Sequence, residues 1–149
     1  MRPAVLLQYV LPHRALSRVV YWATRWPWRP WKDLLISRVV SAYRVDMQQA
    51  VVTDPRAYPT FNAFFTRALK PGARPLPDDP QALACPADGK ISQLGAITAG
   101  RIFQAKGFDF SVAELLADPP VAKTYTNGIF ITVYLSPRDY HRVHMPLAG

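Results

Sequence analysis

Apolar and polar positions follow a helical period in two stretches near the amino terminus. The first, residues 15–26, places apolar side chains beside Arg14 and Arg18, which lie one turn apart. The second has apolar residues at 34, 35, 36, 39, 40 and 43, with charged and polar residues between them. This spacing is typical of amphipathic helices. The proline-containing segment Trp26–Trp31 predicts a break between the two helices.

After residue 46 the chain reads as short segments separated by prolines. Thr60 is placed to cap a short helix, Phe61–Leu69. Alternation predicts three strands, at Leu83–Pro86, Lys90–Leu94 and Ile102–Lys106.

A capping box and a turn signal mark the later part of this region. Ser111 and Glu114 match the S-x-x-E pattern that opens a helix, which we expect to end near Asp118. Farther on, the β-rich runs Val121–Thr126 and Ile129–Leu135 flank Asn127-Gly128, the preferred pair for a two-residue turn. These signals predict a short helix followed by a tight hairpin, within a mixed or mainly β domain.

Charge divides the chain at the same point. Of the net charge of +8, residues 1–46 carry +6, from eight basic and two acidic residues, and they also hold all four tryptophans. Residues 47–149 are close to neutral. We therefore divide the chain into a basic aromatic helical region, residues 1–46, and one domain that begins at residue 47.

A helical region rich in arginine and tryptophan has three possible binding surfaces: a membrane, a nucleic acid or the rest of the same protein. Indole rings and arginines favour the headgroup level of an anionic membrane, with the apolar face dipping into the acyl boundary. The same side chains contact phosphates and stack on bases in nucleic-acid binders. The aromatic face can also simply pack on the rest of the protein. Composition favours the membrane surface and leaves the other two open.

Two histidines, His141 and His144, follow the last predicted strand. Three residues apart on a helix they would share a face and could bind a metal with Asp139, but the flanking prolines Pro137 and Pro146 disfavour a helix. Surface histidines and acid–base groups that act near neutral pH are the other interpretations. Spacing alone does not decide among them.

Four segments together resemble the phosphatidylserine decarboxylase family, in the same order and with compatible spacing. They are Thr60–Pro75 (TFNAFFTRALKPGARP), Pro86–Gly89 (PADG), Gln104–Gly107 (QAKG) and Tyr134–Pro146 (YLSPRDYHRVHMP). The resemblance covers about residues 58–149, and the basic aromatic region of residues 1–46, here called the leader, is more loosely similar to the membrane-associating helices of bacterial members. It implies an α+β fold: amphipathic membrane-associating helices, residues 1–46, followed by the amino-terminal part of a mainly antiparallel β catalytic domain, residues 47–149.

The resemblance also implies a chemistry. Members are proenzymes that cut themselves at a serine and so form an α subunit whose first residue is a pyruvoyl group, the cofactor for converting phosphatidylserine into phosphatidylethanolamine and carbon dioxide. Asp88 and His144 match the aspartate and histidine that form a triad with this serine, in which the histidine takes the serine proton and the aspartate orients the imidazole. His141 matches the histidine that assists decarboxylation. No metal is implied.

One departure from the family pattern concerns the serine itself. It belongs to a Gly-Ser motif near the carboxyl end, and no glycine in this chain is followed by serine. We therefore expect these 149 residues to be a truncated sequence, inactive when alone. The implied partners are phosphatidylserine, an anionic membrane surface and the α subunit, with no nucleic acid, and the implied location is the cytoplasmic side of the cell membrane. The alternative is a non-enzymatic membrane-surface binding protein.

Overall fold

The computed structural model describes residues 12–79, 81–104 and 108–147. Within them the chain is α+β, as predicted, and both small sheets are antiparallel. The elements in chain order are α1 (His13–Arg25), α2 (Arg29–Tyr43), a 3-10 turn (Pro55–Ala57), α3 (Phe61–Phe65), β1 (Lys90–Ala96), β2 (Arg101–Gln104), β3 (Phe108–Ser111), α4 (Val112–Leu116), α5 (Pro119–Thr124) and β4 (Ile129–Tyr134).

The two leader helices are confirmed, but the break between them is shorter than predicted. α2 already begins at Arg29, with Pro30 in its first turn, where the missing N–H of proline costs no helical hydrogen bond. The indole Nε1–H of Trp31 donates to the carbonyl oxygen of Ala23 at 2.8 Å, which ties α2 back to α1.

The first core lies where α2 meets the segment around α3. It consists of buried apolar side chains from both regions of the chain: Ile36, Val45, Met47, Ala50, Tyr58 and Phe64. α2 also buries Lys32, whose Nζ donates to Asp33 at 2.6 Å and to the carbonyl of Arg56 at 2.9 Å. The leader and the region that begins at residue 47 therefore share a core. The domain boundary at residue 46 stays a prediction.

α3 begins where it was predicted but ends four residues earlier. The Thr60 hydroxyl accepts a hydrogen bond from the N–H of Ala63 at 3.1 Å, as an N-cap does. The helix ends at Phe65 because the following residues turn to run along residues 49–51, where Val51 donates to Ala68 and Lys70 donates to Gln49.

The larger sheet pairs β1 with β4 from Lys90↔Tyr134 to Ala96↔Ile129, with a bulge between Ile91 and Gln93. The smaller pairs β2 with β3. The strand predicted at Lys90–Leu94 is thus confirmed. The strand predicted at Ile102–Lys106 corresponds to β2, and its last two residues lie outside the described part of the chain. Leu83–Pro86 is not a regular strand.

The hairpin predicted around Asn127-Gly128 is wrong, because the first of its two strands is the helix α5. The Asp118 carboxylate accepts a hydrogen bond from the N–H of Val121 at 3.1 Å, and Pro119 and Pro120 occupy the first turn. These start signals outweigh the β propensity of the residues that follow. β4 finds its partner in β1 instead, and the capping box at Ser111 does open the predicted helix, α4.

Candidate active site

Two extended segments, residues 84–86 and 144–146, bring distant parts of the chain together beside the larger sheet. Ala84 donates a backbone hydrogen bond to Pro146 at 3.1 Å, and His144 donates to Pro86 at 2.8 Å. A cavity of about 820 Å³ opens between these segments and the loop that follows α3. Asp88 and His144 both line it, so the structure places these two predicted residues on one cavity.

Gly89 allows the Asp88 turn to approach the end of β4. Its φ of +145° is a conformation that residues with a side chain rarely adopt. A Cβ at this position would collide with the carbonyl oxygen of Tyr134. The glycine of the PADG segment thus places Asp88 next to the segment that carries both histidines.

Asp88 is held by Arg74. The Arg74 Nε–H lies 2.9 Å from Oδ1 and 3.0 Å from Oδ2 of the carboxylate, and Nη2 also donates to it. These hydrogen bonds are the main reason that the pKa of Asp88 lies below its ordinary value, although burial acts in the opposite direction. The backbone N–H of Tyr140 and the charge of Arg67 lower the pKa further. Asp88 is therefore a carboxylate at neutral pH.

His144 is paired with Tyr140. The tyrosine hydroxyl oxygen lies 2.9 Å from Nε2 of His144. The two rings stack with their centroids 5.5 Å apart and an interplanar angle of 19°. In the part of the chain that the structure describes, His144 makes no hydrogen bond with Asp88. The imidazole is thus oriented by a neighbouring phenol and faces the cavity.

His141 lies on the other side of its segment, against α3. Its ring is 4.0 Å from the ring of Phe65, centroid to centroid. Its Nδ1 lies 2.9 Å from the carbonyl oxygen of Asp139, and because a carbonyl oxygen can only accept, Nδ1 carries a hydrogen. Nε2 is therefore the nitrogen through which His141 can exchange a proton.

Two arginines join the histidine segment to the end of α3. Nη2 of Arg67 donates to the carbonyl of Arg138 at 3.0 Å, and Nε of Arg142 donates to the carbonyl of Thr66 at 2.8 Å. Arg67 is only 3% exposed, and its burial lowers the pKa of the guanidinium. Among the described residues, no partner is found for its Nε and Nη1.

An ionised carboxylate, two imidazoles and an adjoining cavity suit acid–base chemistry. Within the described ranges, no three histidine, cysteine, aspartate or glutamate side chains come together as metal ligands would. The sequence did not assign roles to Tyr140, Arg74 or Arg67, although all three lie in the quoted segments. Residues 105–107 of the QAKG segment lie outside the described structure.

Comparison with known proteins gives consistent findings over nearly the whole chain. The family model described as phosphatidylserine decarboxylase matches residues 61–149, and one described as PSD matches residues 3–44. Proteins named phosphatidylserine decarboxylase proenzyme are similar to it. Those of Alkalilimnicola ehrlichii and Pseudomonas aeruginosa are each 60% identical, over 146 and 145 residues, and that of Methylococcus capsulatus is 57% identical over 145 residues.

These matches cover 95–96% of this chain but only 50% of each relative. The chain thus spans about half the length of the curated relatives that it matches.

Proposed function

Because the chain belongs to the phosphatidylserine decarboxylase family, we propose that it is the amino-terminal portion of an enzyme that converts phosphatidylserine into phosphatidylethanolamine and carbon dioxide. The observation that carries this proposal is the meeting of Asp88 and His144 on one cavity, inside the region that the family model matches. The proposed catalytic portion is residues 47–149.

His144 is the proposed base that takes the proton from the hydroxyl of the cleavage-site serine, which lies outside these 149 residues. The family relationship supplies the role, and the position of the imidazole beside the cavity supports it. Asp88, kept ionised by Arg74, is the proposed residue that orients the imidazole of His144, a role that the family relationship supplies.

His141 is proposed to act after cleavage, as the group that returns a proton to the carbon from which carbon dioxide departs. Its ring is fixed between Phe65 and the carbonyl of Asp139, and Nε2 makes no hydrogen bond with any residue that the structure describes.

The proposed cofactor is a pyruvoyl group on an α subunit, formed from the cleaved serine. The cavity suits such a group, because its lining combines polar side chains, among them Arg74, Asp88 and His144, with three leucines and three prolines. A volume of about 820 Å³ is within the range of small-molecule sites and leaves room for part of a lipid headgroup. The pyruvoyl carbonyl would supply an electron sink for the loss of carbon dioxide.

Residues 1–46 are proposed to bind the cytoplasmic face of an anionic membrane. α1 buries none of its residues, and both Val19 and Trp22 are about two-thirds exposed next to Arg18. Exposed apolar and basic side chains on one helix favour the lipid interface. In the described ranges, no helix is both long and apolar enough to cross a bilayer. A purely membrane-binding protein would share this surface, but it would not need Asp88 and His144 on one cavity.

The test uses the full-length proenzyme that contains this chain. His144→Ala and Asp88→Ala should leave the proenzyme uncut in gel electrophoresis. His141→Ala should cut normally but release carbon dioxide about 10²–10⁴-fold more slowly, the usual cost of removing an acid–base group. His13→Ala, in the exposed helix α1, is the matched control for cutting and should cut as the parent does.

Normal cutting in both His144→Ala and Asp88→Ala would contradict the proposed mechanism. A His144→Ala variant that cuts but turns over slowly, together with an uncut His141→Ala, would show that the two roles are reversed.

A further inference from the structure

We propose that the small polar cavity beside Arg67 is a docking site for the carboxyl-terminal portion of the proenzyme, which supplies oxygen acceptors to the Arg67 guanidinium. The inference rests on the proposed function, in which these 149 residues are one part of a longer chain. Arg67 is 3% exposed, and among the described residues its Nε and Nη1 have no hydrogen-bond partner. Buried polar groups are nearly always hydrogen-bonded, and an unpaired buried charge is costly.

The guanidinium of Arg67 is fixed by its other contacts. Nη2 donates to the carbonyl oxygen of Arg138 at 3.0 Å, and the guanidinium carbon lies over the ring of Phe64, 5.5 Å from its centroid. Nε and Nη1 cannot turn toward bulk water without loss of these contacts. Their acceptors must therefore come to Arg67.

A cavity of about 180 Å³ adjoins this guanidinium. One water takes up about 30 Å³ in the liquid, so the cavity has room for a whole side chain. Its lining contains four guanidinium and three carboxylate groups, and thus has one positive charge in excess. These groups belong to Arg44, Arg67, Arg74, Arg138, Asp46, Asp88 and Asp139. An acceptor such as a carbonyl or carboxylate oxygen suits this lining better than a donor does.

The three carboxylates of the lining are bonded to other groups. Asp46 accepts from Nε2 of Gln49 at 2.7 Å. Asp139 accepts from a backbone N–H in its own turn at 2.6 Å. Both oxygens of Asp88 accept from Nε of Arg74, at 2.9 and 3.0 Å. The described residues therefore bring more donors than acceptors to this cavity.

The remaining portion of the proenzyme is the occupant that these observations favour. This chain spans about half the length of the relatives that it matches, so the proposed proenzyme contains a comparable length of further chain. Four residues line both this cavity and the larger one: Leu69, Arg74, Asp88 and Tyr140. A segment that reaches Arg67 thus packs against the wall that carries Asp88. Docking of the second portion is thereby coupled to completion of the candidate active site.

The first test is Arg67→Met in the full-length protein, which replaces the guanidinium by an apolar side chain of similar length. Where acceptors from the second portion are present, they lose their donors, and the midpoint of unfolding should fall by about 1–2 M urea. Where they are absent, replacement of a lone buried charge by an apolar side chain is neutral or stabilising. The matched control is Arg142→Met, which removes one hydrogen bond to the carbonyl of Thr66 and should shift the midpoint much less.

A photo-cross-linker identifies the occupant and leaves Arg67 intact. Benzoylphenylalanine in place of Arg44, an exposed residue of the cavity lining, should join to a peptide of the carboxyl-terminal portion, as read by mass spectrometry. The same group in place of Arg38, exposed on α2 and outside the lining, is the control and should not join to that peptide.

A parental or higher urea midpoint for Arg67→Met would overturn the inference, as would the absence of the cross-linked peptide. Stabilisation of the parent, but not of Arg67→Met, by millimolar phosphate would overturn it as well, because the cavity would then bind a free anion. Neither measurement depends on cutting. Normal cutting by both His144→Ala and Asp88→Ala would therefore remove the proposed function, while these two measurements would still decide the inference.

Discussion

Loss of the Arg74 side chain tests how the site keeps Asp88 ionised. Arg74→Ala removes the donors that lower the pKa of this carboxylate and leaves the burial that raises it. The pKa of Asp88 should therefore rise. In the full-length proenzyme, self-cleavage should then fall away at a higher pH than in the parent, because Asp88 takes up its proton earlier as the pH decreases.

The effect on stability follows from the exposure of the two side chains. A hydrogen-bonded pair of charges contributes about 1.5–3 kcal/mol when well shielded, and an exposed ion pair contributes about 0.2–1 kcal/mol. The Arg74 side chain is 48% exposed and that of Asp88 is 21% exposed. We therefore expect Arg74→Ala to lower the free energy of unfolding by about 1 kcal/mol at neutral pH, or about 2–4 °C in Tm.

The sign of the pH dependence is fixed by the direction of the pKa shift. Asp88 has a lowered pKa in the folded chain, so the pair stabilises the fold above the ordinary carboxyl pKa. This contribution disappears as the pH falls through the lowered pKa of Asp88. The stability difference between Arg74→Ala and the parent should accordingly be full at neutral pH and vanish in acid.

The assays are thermal unfolding and gel electrophoresis of the cut products, each as a function of pH. Arg101→Ala is the matched control, because Arg101 forms an exposed ion pair with Asp109 on the β2–β3 hairpin, away from the cavity. It should leave the pH profile of cleavage unchanged. Identical cleavage profiles for Arg74→Ala and the parent would refute the reasoning.

Two further predictions concern the leader and the first core. Replacing Trp22, Trp26 and Trp28 with alanine should weaken binding to anionic liposomes. Salt should weaken the binding of the parent, because charges are screened over about 10 Å at 0.1 M. Binding that resists both treatments would favour the packing interpretation. Phe64→Ala, at a fully buried position, should lower the free energy of unfolding by about 3–5 kcal/mol in chemical denaturation, whereas Leu76→Ala, at a position 77% exposed, should stay within about 0.5 kcal/mol.

Local signals in the sequence predicted the helix starts well. Thr60 and Ser111 cap the helices that follow them, because a cap depends only on residues within one turn. Failures came where a distant partner or a competing local signal decided the outcome. The apolar run that became β4 pairs with β1, which lies some forty residues earlier, and no local pattern shows that register. The run before it looked like a strand but was started as a helix by Asp118.

In the candidate site, too, local patterns identified the residues but not their partners. The quoted segments identified Asp88, His141 and His144, and the structure places the first and the last on one cavity. Their catalytic roles remain predictions. The partners of these residues could not be read from spacing, because Arg74 reaches Asp88 across fourteen positions and Tyr140 reaches His144 only through the local fold of the segment.

The pairing of β1 with β4 also sets the order in which the site assembles during folding. Asp88 lies just before β1 and both histidines lie after β4, so they meet only once the chain has closed a loop that contains residues 97–128. Closing such a loop costs more conformational entropy than forming the short β2–β3 hairpin. Hairpins of this kind form on a microsecond scale. In the proposed mechanism the base and its carboxylate therefore stay apart in a newly made chain. In that mechanism, self-cleavage requires that β1 and β4 have paired in register.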